Sequence, residues 1–151
     1  MSQSLCKILI HLVFSTKGRK CLLDQTLRVE LYPYIMQILK NNDCCYQSKI
    51  GGTENHVHIL CALPKIISVG DLIKQIKANS SKWIKTKREN LWNFCWQRGY
   101  GAFSISPVHM QVISSYIANQ EMHHKKITFE DELRRLIKKY DVAYDEHYLF
   151  D

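Results

Sequence analysis

His56-Val57-His58 and the pair Tyr116 and Gln120 are the residues of this chain whose types and spacing could do chemistry. On a strand, positions i and i+2 face the same side, so two imidazoles can share one metal ion while Val57 points the other way. Two histidines on a solvent-facing strand would do nothing by themselves, and a third ligand must come from elsewhere in the chain. Tyr116 and Gln120 stand at i and i+4, on one face of a helix, with His109, Ile113, His123 and His124 along or near that stripe. A tyrosine in an amphipathic helix is ordinarily a packing residue. Its hydroxyl, with a reference pKa of about 10, reacts near neutral pH only beside a metal-polarised electrophile or a base. The histidine strand supplies that metal if the helix packs beside it. Gln120, His123, His124 and Glu54 are the candidates for completing the metal shell.

A third set is cationic. Lys17, Arg19 and Lys20 form one basic turn, and Lys74, Lys77 and Lys85 share a helical stripe with Ser81. Trp83, Trp92, Trp96 and Tyr100 lie nearby in sequence. Cations that track phosphates, with aromatic faces for stacking, suit a single-stranded nucleic acid. The same lysines would also make an ordinary solvated helix face, and Trp83 falls on the apolar side, where a core position is expected.

Composition narrows the partners. The 151 residues are 46% hydrophobic, enough for a packed core and against general disorder. A formal charge of +7 suits a polyanion, either nucleic acid or an anionic membrane, without choosing between them. No stretch approaches the roughly 20 apolar residues that span a bilayer. The best apolar run, Ile8 to Phe14, is interrupted by His11 and lacks the flanks of a signal peptide. Cys6, Cys21, Cys44, Cys45, Cys61 and Cys95 form no CxxC pair, which predicts reduced, mostly buried thiols in a cytoplasmic protein.

The elements that must position these groups follow from periodicity. Cys6 to Ser15 reads as a buried strand, and Asp24 caps a helix to about Leu39. Cys44 to Ile50 and His56 to Leu63 read as a hairpin around a Gly51-Gly52 turn. A clear helix runs from Asp71 to Lys87 with Leu72, Ile73, Ile76, Trp83 and Ile84 on one side. Tyr100 to Ser106 reads as a strand, and Ser106-Pro107 opens a helix to about His123. A last amphipathic helix fits Phe129 to Tyr140. The order β-α-β-β-α-β is the ferredoxin-like split βαβ plan: an α+β sandwich whose antiparallel sheet carries helices on one face, plus C-terminal helices. One catalytic domain spans 1–151, with the C-terminal helix and tail starting near 128.

The sequence resembles the single-tyrosine HUH transposases of small bacterial insertion sequences, including relatives associated with repetitive extragenic palindromes (REP). The matching pieces are Asn55-His-Val-His-Ile-Leu60, Tyr116-Ile-Ala-Asn-Gln120, Ser15-Thr-Lys-Gly-Arg19, Trp96 to Ser104, Glu121 to Lys125 and the ending Tyr144 to Asp151. The resemblance implies a homodimer acting on single-stranded DNA with hairpin ends. It places a divalent metal, Mg²⁺ or Mn²⁺, on His56, His58 and Gln120, and makes Tyr116 the nucleophile. In some members the tyrosine helix packs against the partner subunit, so the site can be composite. Asn55 stands where many relatives carry an acidic residue, and Phe150 where Trp is common.

The function expected is therefore a DNA transposase that cleaves and rejoins strands through a 5′-phosphotyrosine, with Lys17, Arg19, Lys74 and Lys77 on the DNA. A non-catalytic binding module for single-stranded nucleic acid and a metal-dependent hydrolytic nuclease are the rival classes. The aromatic strand pattern of RNA-recognition domains is absent from the sequence, which counts against the first.

Overall fold

Alternation along β1 (Leu9–Ser15) decides what the two faces of the sheet become. Ile10, Leu12 and Phe14 point to one side, where they join the core formed with α1 (Gln25–Asn41) and α2 (Val69–Lys87). Leu9 and Val13 point to the other, into two smaller apolar clusters. All seven residues of β1 are buried, because both faces are covered. The structure, a computed structural model, describes residues 2–151.

The other strands are β2 (Lys49–Gly52), β3 (His56–Ala62) and β4 (Gly101–Ile105). Their order is β2-β3-β1-β4, antiparallel throughout, which is the arrangement of the split βαβ plan. Three C-terminal helices cover the second face: α3 (Met110–Ala118), α4 (Gln120–His123) and α5 (Phe129–Lys139). Phe129, Leu133 and Ile137 of α5 close over Val13 and Phe103, while Ile117 of α3 packs on Leu9, Leu60 and Ile105. The helices beyond the split βαβ unit are therefore what turns the histidine side of β3 into an interior.

Local chemistry sets the ends of these elements. Asp24 caps α1 by accepting from Leu27 N at 2.9 Å, and Ser68 caps α2 by accepting from Asp71 N at 3.0 Å. Thr128 caps α5 in the same way.

Four expectations need correction. Cys44 to Ser48 is a turn rather than strand, with Asp43 and Gln47 in left-handed backbone conformations at φ 56° and 51°. Gly51 and Gly52 belong to β2, and the turn lies beyond them. Gly51 is needed there because a Cβ would meet Ile117 O at 2.2 Å, so the backbone of α3 rests directly on the strand. The helix expected to run unbroken to His123 is interrupted at Asn119, whose N–H is shared between Ser115 O and Tyr116 O at 3.1 and 3.3 Å. Ser106 precedes a short 3₁₀ turn and makes no side-chain cap.

All six cysteines are free, but only Cys44 and Cys61 are buried, and Cys6, Cys21 and Cys95 are exposed. Among the described residues, no helix is long and apolar enough to cross a membrane.

Candidate metal and nucleophile site

Strand alternation sends His56 and His58 to the α3–α5 side of β3 and Val57 into the opposite core. His56 Nε2 lies 3.0 Å from Gln120 Oε1, so the structure brings together the two groups that sequence placed on one metal. His58 Nε2 lies 3.0 Å from Glu132 Oε1, and His124 Nε2 reaches the same oxygen at 2.9 Å. The other oxygen, Oε2, accepts from Gln120 Nε2 at 3.0 Å and from the hydroxyl of Tyr116. One buried carboxylate thus joins the histidine strand, the glutamine and the tyrosine. Glu132 was not a candidate from sequence. Glu54, which was one, lines the cleft beyond Asn55 and lies outside this cluster.

Tyr116 reaches the histidines of its own chain. Its ring stands edge-on to His58, with centroids 5.9 Å apart. The composite arrangement that the resemblance allowed is not required for these groups to meet.

Each ring is held from behind. Asn55 Oδ1 is 2.7 Å from His56 Nδ1. A proton on Nδ1, donated to that oxygen, leaves the Nε2 lone pair facing the site. Asn55 therefore does by amide what an acidic residue would do by charge. His11, diagonal to His58 across the β1–β3 pairing, places its Nε2 2.7 Å from His58 Nδ1. Burial, with the neighbouring His58 second, pushes His11 down to about 3, so it is neutral and able to accept from His58 Nδ1–H.

Burial likewise lowers His56 to about 4, leaving it a neutral imidazole at ordinary pH. Burial alone would raise the carboxyl of Glu132, but hydrogen bonds from His124, His56 and His58 outweigh it and hold it well below the usual carboxylate range. Burial and the charge of Glu132 push the Tyr116 phenol above its ordinary value.

The residues present fit a divalent cation. One donor atom each from His56, His58, His124 and Glu132 lie within 4.8 Å of one another, and Gln120 Oε1 adjoins them. Neutral imidazole nitrogens, an amide oxygen and one anionic oxygen form a mixed donor set suited to Mn²⁺ and usable by Mg²⁺. His123 Nε2 is buried beside this set, 3.3 Å from Glu132 Oε2.

The expected DNA-contacting residues separate into two kinds. Lys17 and Lys74 are exposed. Arg19 pairs with Glu130 at 2.6 Å and lies over the ring of Phe150, tying the C-terminal tail to the first basic turn. Lys77, expected on the DNA, is instead turned inward: its ammonium donates to Gln97 O, Arg98 O and Gly99 O at 2.8, 3.2 and 2.7 Å. Burial lowers it to about 8. Ser81 of the same stripe donates to Phe94 O, so this side of α2 is partly covered by the 91–99 segment.

The aromatics divide as well. Trp96 is core and donates to Ser80 Oγ at 2.9 Å, whereas Trp92 and Tyr100 are exposed. Accordingly, Lys74→Ala should flatten the dependence of log K on log salt for single-stranded DNA, by up to about one unit for one phosphate contact. Lys77→Ala should instead lower the melting temperature. An unchanged slope in the Lys74 variant marks that residue as part of a solvated face.

The chain is similar to known proteins. The family model described as "Transposase IS200 like" matches residues 4–120. No curated protein matches the chain significantly. A solved structure of a protein from Deinococcus radiodurans R1, assigned as a transposase, is similar with a TM-score of 0.59 and 21% identity. That match covers 80% of this chain and 98% of the other. A REP-associated tyrosine transposase bound to a REP hairpin is similar with a TM-score of 0.59 and 17% identity, over 96% of this chain and 91% of the other. At these identities the two structures carry the fold alone. The family match stops at Gln120, so His124, Glu132 and the rest of α5 lie beyond it.

Proposed function

The chain belongs to the IS200-like transposase family, and from that premise we propose that it cleaves and rejoins hairpin-forming single-stranded DNA through a covalent link to Tyr116. The observation that carries this reading is the meeting of Tyr116, Gln120 and His58 on the one carboxylate of Glu132. A nucleophile and a metal-ligating set held on one buried group suit phosphoryl transfer better than binding alone.

His56, His58, Gln120 and Glu132 would hold Mg²⁺ or Mn²⁺, with His124 beside them. A bound ion supplies Lewis-acid stabilisation of charge on the phosphoryl oxygens. Asn55 and His11 fix the two ring orientations. The phenol proton of Tyr116 leaves along its hydrogen bond to Glu132 Oε2 as Oη forms the bond to phosphorus. The bond from phosphorus to the 3′ oxygen breaks, and that oxygen takes a proton from water to become a free 3′-hydroxyl. The 5′-phosphotyrosine keeps a phosphodiester, so another 3′-hydroxyl can attack it, restore the phenol and rejoin DNA without a nucleotide cofactor. An activated water would only hydrolyse the strand.

The partner is DNA with hairpin ends, the class of ligand held by the REP-associated relative. A homodimer would set two such sites on the two ends of a mobile segment. Exposed Val108 in the 3₁₀ turn before α3, Val112 on α3 and Met122 on α4 offer it apolar surface.

The experiment that tests the reading mixes the protein with a labelled hairpin-bearing strand and Mg²⁺, then denatures. A protein–DNA adduct that survives denaturation is the expected result. Binding without cleavage makes the protein a binding module, and cleavage without adduct makes it a hydrolytic nuclease.

A further inference from the structure

Tyr116 opens onto a cleft of about 710 Å³, lined also by Asn119, His123, Lys126 and Arg135. Arg135 follows Glu132 by three residues on α5, which puts the two on neighbouring positions of one helical face. The other arginines near this end of the molecule are committed: Arg19 to Glu130, Arg28 to Glu121, and Arg134 to Glu146 and Asp131. Among the described residues, Arg135 makes no ion pair or hydrogen bond.

The charges around the nucleophile make this arrangement informative. A phosphodiester brought up to Tyr116 carries a negative charge and approaches the anionic Glu132. The repulsion grows in the transition state, where a second negative charge develops on the phosphoryl oxygens. A cation on the approach side is what the reaction needs, and a planar guanidinium matches two phosphate oxygens at once. His123, whose Nε2 lies 3.3 Å from Glu132 Oε2, lines the same cleft.

Resting on the transferase reading above, we propose that this cleft is the subsite for the scissile phosphate and that Arg135 is the residue that grips it. Arg135 contacts the two non-bridging oxygens, offsets the charge of Glu132 and presents phosphorus to Tyr116 Oη. The grip tightens as charge develops during attack, so Arg135 acts on the rate more than on the affinity.

The test uses the full chain, Arg135→Ala, and two substrates. The wild-type cleavage position is mapped first, and a second strand is then made with a neutral methylphosphonate at that one position. On the ordinary strand, Arg135→Ala should slow adduct formation about 10²- to 10³-fold, the range for losing one transition-state donor, with little change in strand affinity. On the methylphosphonate strand the gap between wild type and variant should nearly close, because the charge that Arg135 answers is gone. Arg135 is exposed and unpaired, so the variant should melt with wild type.

An equal rate loss on both strands overturns the proposal, since the scissile charge would then be irrelevant to Arg135. Weaker binding and a flatter salt slope with no rate loss also overturn it, making Arg135 a general contact to the DNA backbone. No adduct from the wild-type chain on either strand overturns the transferase reading itself, and this proposal with it.

Discussion

Tyr116→Phe should abolish the denaturation-resistant adduct and the 3′-hydroxyl fragment while leaving hairpin binding intact. The substitution removes one oxygen and keeps the ring, so the packing of Tyr116 against Ile117's cluster and the edge-on contact with His58 survive. What is lost structurally is the hydrogen bond to Glu132, which still accepts from Gln120, His58 and His124. A hydrogen bond to a charged group contributes about 1.5–3 kcal/mol. At about 2–4 °C per kcal/mol for a chain of this size, the melting temperature should fall by several degrees and the fold should hold. Ala would add a cavity to the lost chemistry and confuse the two.

The outcomes separate cleanly. Adduct persisting on another tyrosine overturns the assignment but keeps the reaction class. Tyr140 is stacked on Phe103 and Tyr100 lies beside Lys77, and neither lines the cleft that Tyr116 opens onto. Cleavage without adduct in the Phe variant would make water the nucleophile.

The groups that alternation and helical spacing govern were legible in the sequence. Period two sets His56 and His58 on one side of a strand, and the i, i+4 spacing that pairs Tyr116 with Gln120 still brings both to Glu132 although the helix breaks between them at Asn119. The strand order followed from the succession of elements. What the sequence hid depends on tertiary placement. Glu132 sits in the first turn of α5 with Glu130 and Asp131, where acidic residues are common because they complement the helix dipole. Nothing local separates the buried carboxylate from its two neighbours. His11 read as an interruption of an apolar run, and only the diagonal pairing of β1 with β3 makes it a partner of His58. Gly51 read as turn because its strand role depends on α3 arriving from 66 residues further along the chain at Ile117. Lys77 read as surface because the 97–99 carbonyls that satisfy it belong to a loop with no periodic signal.

Glu132→Gln should weaken Mn²⁺ binding at least 10- to 100-fold, the loss typical of removing even a group behind the ligands. His58→Ala should remove both binding and cleavage with the fold retained. The histidines are neutral donors where their state is fixed, Gln120 is an amide, and Glu132 is the one anion of the cluster. Glutamine keeps the shape and one acceptor oxygen but cannot neutralise a divalent ion, and its amide nitrogen is a poor ligand. The variant has a second signature of opposite sense. The charge of Glu132 and its hydrogen bond both hold the Tyr116 phenol up, so removing the charge should lower the phenol's titration in the metal-free protein. Calorimetric titration with Mn²⁺ and ultraviolet titration of the phenol read the two effects separately. A fall in metal affinity with an easier phenol supports Glu132 as a ligand that also restrains the nucleophile. An easier phenol with unchanged Mn²⁺ affinity would reduce Glu132 to a positioning residue for Tyr116. Full activity of His58→Ala in Mg²⁺ would remove the histidine strand from the metal altogether.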